Sequence, residues 1–312
     1  MKSRMIKNRF VNSVMLATLV VAVVAGCGEQ EKSVETVEFG EEVVTSSTAI
    51  TVDETNETAA AQTVEAEQAS DYPAEEHFVY QHVENPGWDY YLADETLTVG
   101  EQTVHLEKLE ETPNEVSDLQ QWVADNQLDF QAMPYEDEKY VYNTFGDNAF
   151  DTYELLLKEL SGEEREITLD FSDYNYANDF EEEEKAFVFQ RIIWAKVEEN
   201  ILYVATGHYT YAASSPHNAY ITAIDMDDLH VLWKTSPLVC NSLNFEIVGD
   251  AIICGYGFTA EDDFLYILDK KTGVVQEAIP LKKAPEYIYR KDDILYVKTY
   301  DADLRFQILE VD

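Results

Sequence analysis

Basic residues are the scarce class in this 312-residue chain: 21 Lys and Arg stand against 62 Asp and Glu, a formal net charge of -41. Such a chain repels phosphate backbones and anionic lipid headgroups, which argues against nucleic acid as a partner and against attachment to a membrane by a basic face. Cysteine is rarer still, with only Cys27, Cys240 and Cys254, no two of them adjacent. No apolar run reaches the roughly 20 residues a spanning helix needs. Histidine is confined to His77, His82, His105, His208, His217 and His230. "SSPH" at Ser214–His217 has no accompanying GxSxG elbow, so it does not make a hydrolase.

What the sequence has begins at its start. Lys2, Arg4, Lys7 and Arg9 precede an apolar stretch from Val14 to Val24, followed by Ala25, Gly26 and Cys27. A basic region, a short apolar core and small residues describe a secretory signal. Val24-Ala25-Gly26-Cys27 resembles the lipobox of bacterial lipoproteins. That resemblance implies a diacylglyceryl group on the Cys27 thiol, a cut just before it, and a protein held at the cell membrane, facing the outside or the periplasm. Several acyl chains hold far better than one, since each buried methylene adds roughly 0.8 kcal/mol.

From Gly28 to about Glu76 there is one Lys, abundant Glu, and only Phe39 and Tyr72 as aromatics. Such a segment buries too little apolar area to offset its ordering entropy, and its charges repel one another. The expected division is therefore residues 1–26 as signal, 27–76 as a disordered acidic tether and 77–312 as one folded domain.

Three stretches of that domain align. They begin at Val197, Val248 and Arg290. Each opens on a polar turn (Glu199-Asn200, Gly249-Asp250, Asp292-Asp293) and ends a strand on an aliphatic-acid pair (Ile224-Asp225, Leu268-Asp269, Leu309-Glu310). The acids lie 44 and 41 residues apart, and a period of about 40 to 50 residues of short strands indicates a β-propeller with one four-stranded blade per repeat. The strand-ending aspartates are placed to close their turns onto backbone amides. Trp233 falls where an indole would lie between blades.

"DMDDL" at Asp225–Leu229, "DKKTG" at Asp269–Gly273 and Trp233 together resemble the pyrroloquinoline-quinone-type propeller repeat over roughly Ile192 to Asp312. Many proteins with this repeat bind no quinone and act as scaffolds. The quinone enzymes use a pair of adjacent cysteines beside the cofactor. This chain has no such pair, so the expected protein carries no cofactor and no catalysis.

The front half is less regular. "WDYYLADETLTVGEQTVHLEKL" from Trp88 reads as three short strands turning at Ala93-Asp94 and Gly100-Glu101. "VSDLQQWVADNQL" reads as a helix with Val116, Leu119, Trp122 and Val123 on one face and Ser117 as cap. The stretch from Lys139 reads as a divergent blade turning at Gly146-Asp147 and Ser161-Gly162, with a helix over Thr152–Leu160 as the rival. The fold class expected is all-β, a propeller of about five irregular blades.

Extending the Gly249-Asp250 hairpin puts Cys240 roughly 16 Å from the position opposite Cys254, too far for a disulfide. Two weak metal-ligand sets remain. His208 and His217 flank one hairpin loop. Asp173, Asn175, Asp179, Glu181 and Glu184 take positions 1, 3, 7, 9 and 12 of a calcium-type loop, with Ala177 and Asn178 where a ligand and the glycine belong. Tyr174 and Tyr176 are expected to be exposed there. The favoured function is a lipid-anchored binding or scaffold module for another envelope protein or polymer. The alternative is a solute-capturing or enzymatic module with its site in the propeller mouth, calcium being its conceivable ion.

Overall fold

A computed structural model describes residues 77–114, 118–162, 165–210, 216–258 and 261–311. The signal (1–26), Cys27, the tether (27–76), Val116, Ser117, Ser214 and Ser215 lie outside the described residues.

In chain order the elements are β1 (Phe78–His82), β2 (Tyr91–Leu92), β3 (Val104–Pro113), helix α1 (Leu119–Asn126), β4 (Tyr135–Glu136), β5 (Tyr140–Phe145), β6 (Glu154–Glu159) and β7 (Glu166–Asp170). Then follow β8 (Arg191–Glu198), β9 (Ile201–Gly207), β10 (Tyr220–Asp225), β11 (Val231–Lys234), β12 (Glu246–Val248), β13 (Ala251–Tyr256), β14 (Asp263–Asp269) and β15 (Val275–Leu281). The chain ends with β16 (Pro285–Lys291), β17 (Ile294–Thr299) and β18 (Ala302–Glu310). They form four sheets of four or five strands: β4 to β7 with β1, β8 to β11 with β2, β12 to β15, and β16 to β18 with β3. This is the all-β, propeller-like fold. Every pairing is antiparallel except β1 on β7.

The blades number four among the described residues, not about five. Residues 78–113 build no blade of their own. Instead they lend β1, β2 and β3 to three sheets formed further along the chain, and the stretch from Trp88 holds two strands where three were expected. β3 pairs along β18 from Ala302↔Pro113 to Glu310↔Val104, so an early strand closes the last sheet.

The repeat turns lie where the sequence placed them. β8 and β9 join through Glu199 and Asn200, both left-handed, as a two-residue hairpin turn with primed geometry requires. Val248↔Ala251 and Lys291↔Ile294 frame the other two turns. Asp225 and Asp269 close their turns as expected: Asp269 Oδ1 accepts from the Thr272 amide and hydroxyl, each at 2.7 Å, and Asp225 Oδ1 accepts from the Asp227 amide at 2.7 Å. The stretch Glu154–Glu159 is a strand, not a helix. Its leucines alternate between the faces of the first sheet, and the pairing with both neighbours outweighs local helix propensity.

Packing between sheets follows from continuous apolar runs. β9, β10 and β13 are buried on both faces, because each lies inside a sheet stacked between two others. One apolar cluster joins the first and second sheets through Leu155, Leu157, Ile192 and Leu202. A second joins the second and third through Trp233, Phe245 and Leu268. A third joins the third and fourth through Ile267, Leu295 and Phe306. Trp122 of α1 and Leu128 pack on Tyr289 of β16, which docks the helix on the fourth sheet. The helix begins one residue later than the sequence suggested: Asp118 is its cap, and its Oδ1 accepts from the Gln121 amide at 3.1 Å.

The estimated separation of Cys240 and Cys254 does not hold. β12 is only three residues long, so the strand cannot be extended back to Cys240. The chain folds over instead, the Cys254 thiol donates to the Val239 carbonyl at 3.5 Å, and the two buried thiols are neighbours. Burial pushes the Cys254 thiol well above its ordinary range.

Candidate functional site

The inner ends of all four sheets meet at one cleft of about 210 Å³. Met133 leads into β4, Thr144 lies on β5, Arg191, Ile192 and Ile193 open β8, Leu243 precedes β12, and Tyr287 comes from β16. Ala149 and Thr152 complete the wall from the β5–β6 connection. Thr152 is held there by an isolated parallel bridge to Arg191, with the Ile192 amide donating to its carbonyl at 2.7 Å. Among the described residues no carboxylate lines the cleft.

Arg191 is the charged group of this cleft. Its guanidinium carbon lies 4.2 Å from the ring centroid of Tyr209, whose own hydroxyl donates to the Asn241 carbonyl at 2.5 Å. The ring orients the guanidinium without neutralising it. Phenylalanines lie close in the chain to several of the cleft's lining residues. Phe145 and Phe150 each follow a cleft-lining residue, Phe187 and Phe189 precede Arg191 closely, and Phe150 lies 6.3 Å from Phe189. Phe150 is 65 % exposed, Phe187 48 % and Phe145 44 %. The sequence reading had singled out none of these residues. Their signal was a pair of phenylalanines two and four positions before a strand-opening arginine, which becomes meaningful only once the chain is closed into sheets.

The two proposed metal sets are not assembled among the described residues. His208 is 4 % exposed, and its backbone pairs with the Asn218 side chain: the His208 amide donates to Oδ1 at 2.9 Å. Burial lowers the pKa of its imidazole, with the Thr210 backbone opposing the shift. His217 turns elsewhere, to Asp179 at 3.3 Å and to the Trp88 ring at 5.8 Å. Asp173 is taken by His82, whose Nε2 lies 3.1 Å away while its Nδ1 meets Asp170 at 3.2 Å. Those two carboxylates, Asp170 first, raise the His82 pKa. Asn175 borders a separate, very small cavity, and Glu184 sits in a short 3-10 turn over Glu184–Ala186. The 3-10 turn at Ser172–Tyr174 buries Tyr174, and Asp173 and Asp179 meet different histidines, His82 and His217. Tyr176 is likewise not free: its hydroxyl donates to the Val188 carbonyl at 2.6 Å. Asp225, Asp228 and His230 do bring ligand atoms together, on a mostly exposed turn.

A second cationic centre is internal. Lys234, at the end of β11, is fully buried, and its ammonium lies 4.0 Å from the Tyr220 ring centroid, 5.3 Å from Trp88 and 5.6 Å from Tyr174. It donates to Asn85 Oδ1 at 3.1 Å and to the Gly87 carbonyl. Lys234 thereby ties the segment between β1 and β2 to the second sheet.

The fold and cleft define a propeller-like protein with a small, cationic cleft where the sheets meet. No family model and no curated relative matches the chain. Among solved structures it is similar to BamB from Moraxella catarrhalis, at 15 % identity and a TM-score of 0.28 over 53 % of this chain and 56 % of that one. It is also similar to the polysaccharide lyase Uly1, at 12 % identity and a TM-score of 0.24 over 40 % of this chain and 29 % of that one. The chain thus spans about half the length of the first and under a third of the second.

Proposed function

We propose that this protein is a non-catalytic binding module that captures a partner polypeptide at this cleft and its neighbouring phenylalanines, held at the outer face of a membrane by a lipid on Cys27. The observation that carries the reading is this set of phenylalanines. Phe145, Phe150 and Phe187 are exposed large apolar side chains within one to four positions of cleft-lining residues, and interface cores are enriched in aromatic residues. The lipobox-like Val24-Ala25-Gly26-Cys27 supports the anchor, and the strongly acidic composition leaves a lipid as the means of attachment.

The test is capture from detergent-solubilised membranes of the source cell, comparing the parent with a Phe150→Asp, Phe187→Asp double variant. Both side chains are exposed, so folding is preserved, and the thermal melts should coincide. The reading expects a discrete partner with the parent that is lost with the double variant. Equal capture by both would remove these phenylalanines from the function. For the anchor, Cys27→Ser should shift the protein out of the membrane fraction or leave it uncut. Processed protein of unchanged size and detergent partitioning would exclude lipidation.

A further inference from the structure

The cleft contains a cation without an anion. Among the described residues Arg191 has no carboxylate partner, although the chain carries 62 acidic residues. Several of its other cations behave differently. Lys298 meets Asp303 at 3.0 Å, Lys270 meets Glu199 at 3.1 Å and Arg290 meets Glu310 at 3.0 Å. Withdrawing a guanidinium partly from water with no counter-charge is costly, and an anion arriving with a ligand would offset that cost.

We propose that the cleft receives one carboxylate of a partner polypeptide, bound to Arg191, with the partner's flanking apolar groups resting on Phe145, Phe150 and Phe187; this rests on the binding-module reading above. The guanidinium fork matches a carboxylate in two parallel hydrogen bonds, and its stacking on Tyr209 fixes the plane in which they form. The hydroxyls of Thr144, Thr152 and Tyr287 line the same space and supply further polar contacts. Size restricts the occupant. A cleft of about 210 Å³ is smaller than the roughly 300–1,000 Å³ that encloses a drug-sized ligand. It has room for a single residue's side chain or for a chain end, not for a large cofactor. The carboxylate has two possible sources, an acidic side chain or a C-terminus, and both present the same chemistry to Arg191.

Four probes separate the possibilities by calorimetric titration into the full-length chain: acetyl-Gly-Phe-Glu-Phe-Gly-amide, its Gln counterpart, acetyl-Gly-Phe-Gly-Phe with a free C-terminus, and benzoate. The inference expects the Glu peptide or the free-ended peptide to bind, and to bind more tightly than the Gln peptide and benzoate. Hydrogen bonds to a charged group imply that Arg191→Gln weakens that probe about ten- to a hundredfold. Arg191→Lys should recover only part of the loss, because a point charge lacks the fork. Leu243→Trp, which fills the cleft and leaves the arginine, should also abolish binding. Equal binding of the Glu and Gln peptides with no free-end preference, no change on Arg191→Gln, benzoate alone binding, or no probe binding at millimolar concentration would each overturn it. If membrane partner capture needs the phenylalanines and is indifferent to Arg191→Gln, the binding-module reading stands and this inference falls.

Discussion

Trp233 of the second sheet fills the space over Gly273 of the third: a methyl placed on Gly273 would overlap the six-membered ring of the indole. Gly273 also has a left-handed φ of +72°. The glycine of "DKKTG" is thus needed twice, once for backbone conformation and once for the neighbouring blade's tryptophan. Trp233 is 1 % exposed. Trp233→Ala should cost about 3 to 5 kcal/mol. Gly273→Ala should be destabilising alone and clearly less so in the Trp233→Ala background, because contacting residues couple. Additive losses in a denaturant double-mutant cycle would mean that the overlap plays no part.

That pair shows what the sequence made legible. The turn residues and the strand-ending acids were local signals, and all three repeat turns form two-residue hairpins. The tryptophan could be placed between blades because the repeat gave it an address. Ring closure was not legible. β1, β2 and β3 each pair with a strand 88 or more positions away, and nothing local in "FVYQH" or "YL" names that partner. The misplacement of Cys240 has the same origin: local hairpin geometry was extended past a three-residue strand. The cleft escaped notice because its lining is a few residues from each of several elements far apart in the chain.

Lys234 should make stability depend on pH. Burial lowers its pKa to about 7, against an ordinary value of 10.5, with Asp89 opposing the shift. The folded state therefore holds this proton less tightly than the unfolded chain. Stability should be lowest below pH 7 and should rise towards pH 10.5, by up to about 1.4 kcal/mol per pH unit. The three surrounding rings favour the charged form and moderate the slope. Comparing Lys234→Met with the parent by urea unfolding at pH 7, 8 and 9 cancels the contribution of the other charges. The parent's stability should climb more steeply. Parallel profiles would show that Lys234 stays charged throughout.

Glu246 has a raised pKa as well, and it should act over a lower interval. Burial pushes it up to about 7, with Lys196 and the Arg290 amide and charge pulling the other way. A carboxyl with a raised folded-state pKa contributes its stability fully below about pH 4.5, and that contribution is lost as pH rises towards 7. Glu246→Gln retains the acceptor for the Arg290 amide, 3.2 Å away, and removes the charge. It should therefore match the parent near pH 4 and exceed it at pH 8, by roughly 1 to 3 kcal/mol. A variant that is equally or less stable at pH 8 would place the ionised carboxylate in a favourable setting.

Closure by β3 sets where the chain can be shortened. β18 carries Phe306 and Ile308 into the apolar cluster between the third and fourth sheets, and Val104 of β3 belongs to that cluster as well. The two strands pair along nine positions. A chain starting at His77 keeps β1, β2 and β3, whereas one starting at Asn114 loses all three and leaves β18 as an unpaired edge. Unpaired edges invite association with other chains. The first truncation removes only a segment whose composition carries almost no aromatic residues, so it should melt cooperatively at the parent's temperature. The second should aggregate or lose its cooperative transition. A soluble, cooperatively melting chain from Asn114 onward would show that the fourth sheet stands without its borrowed strand. A failure of the His77 chain to fold would mean that the preceding residues contribute packing their composition does not suggest.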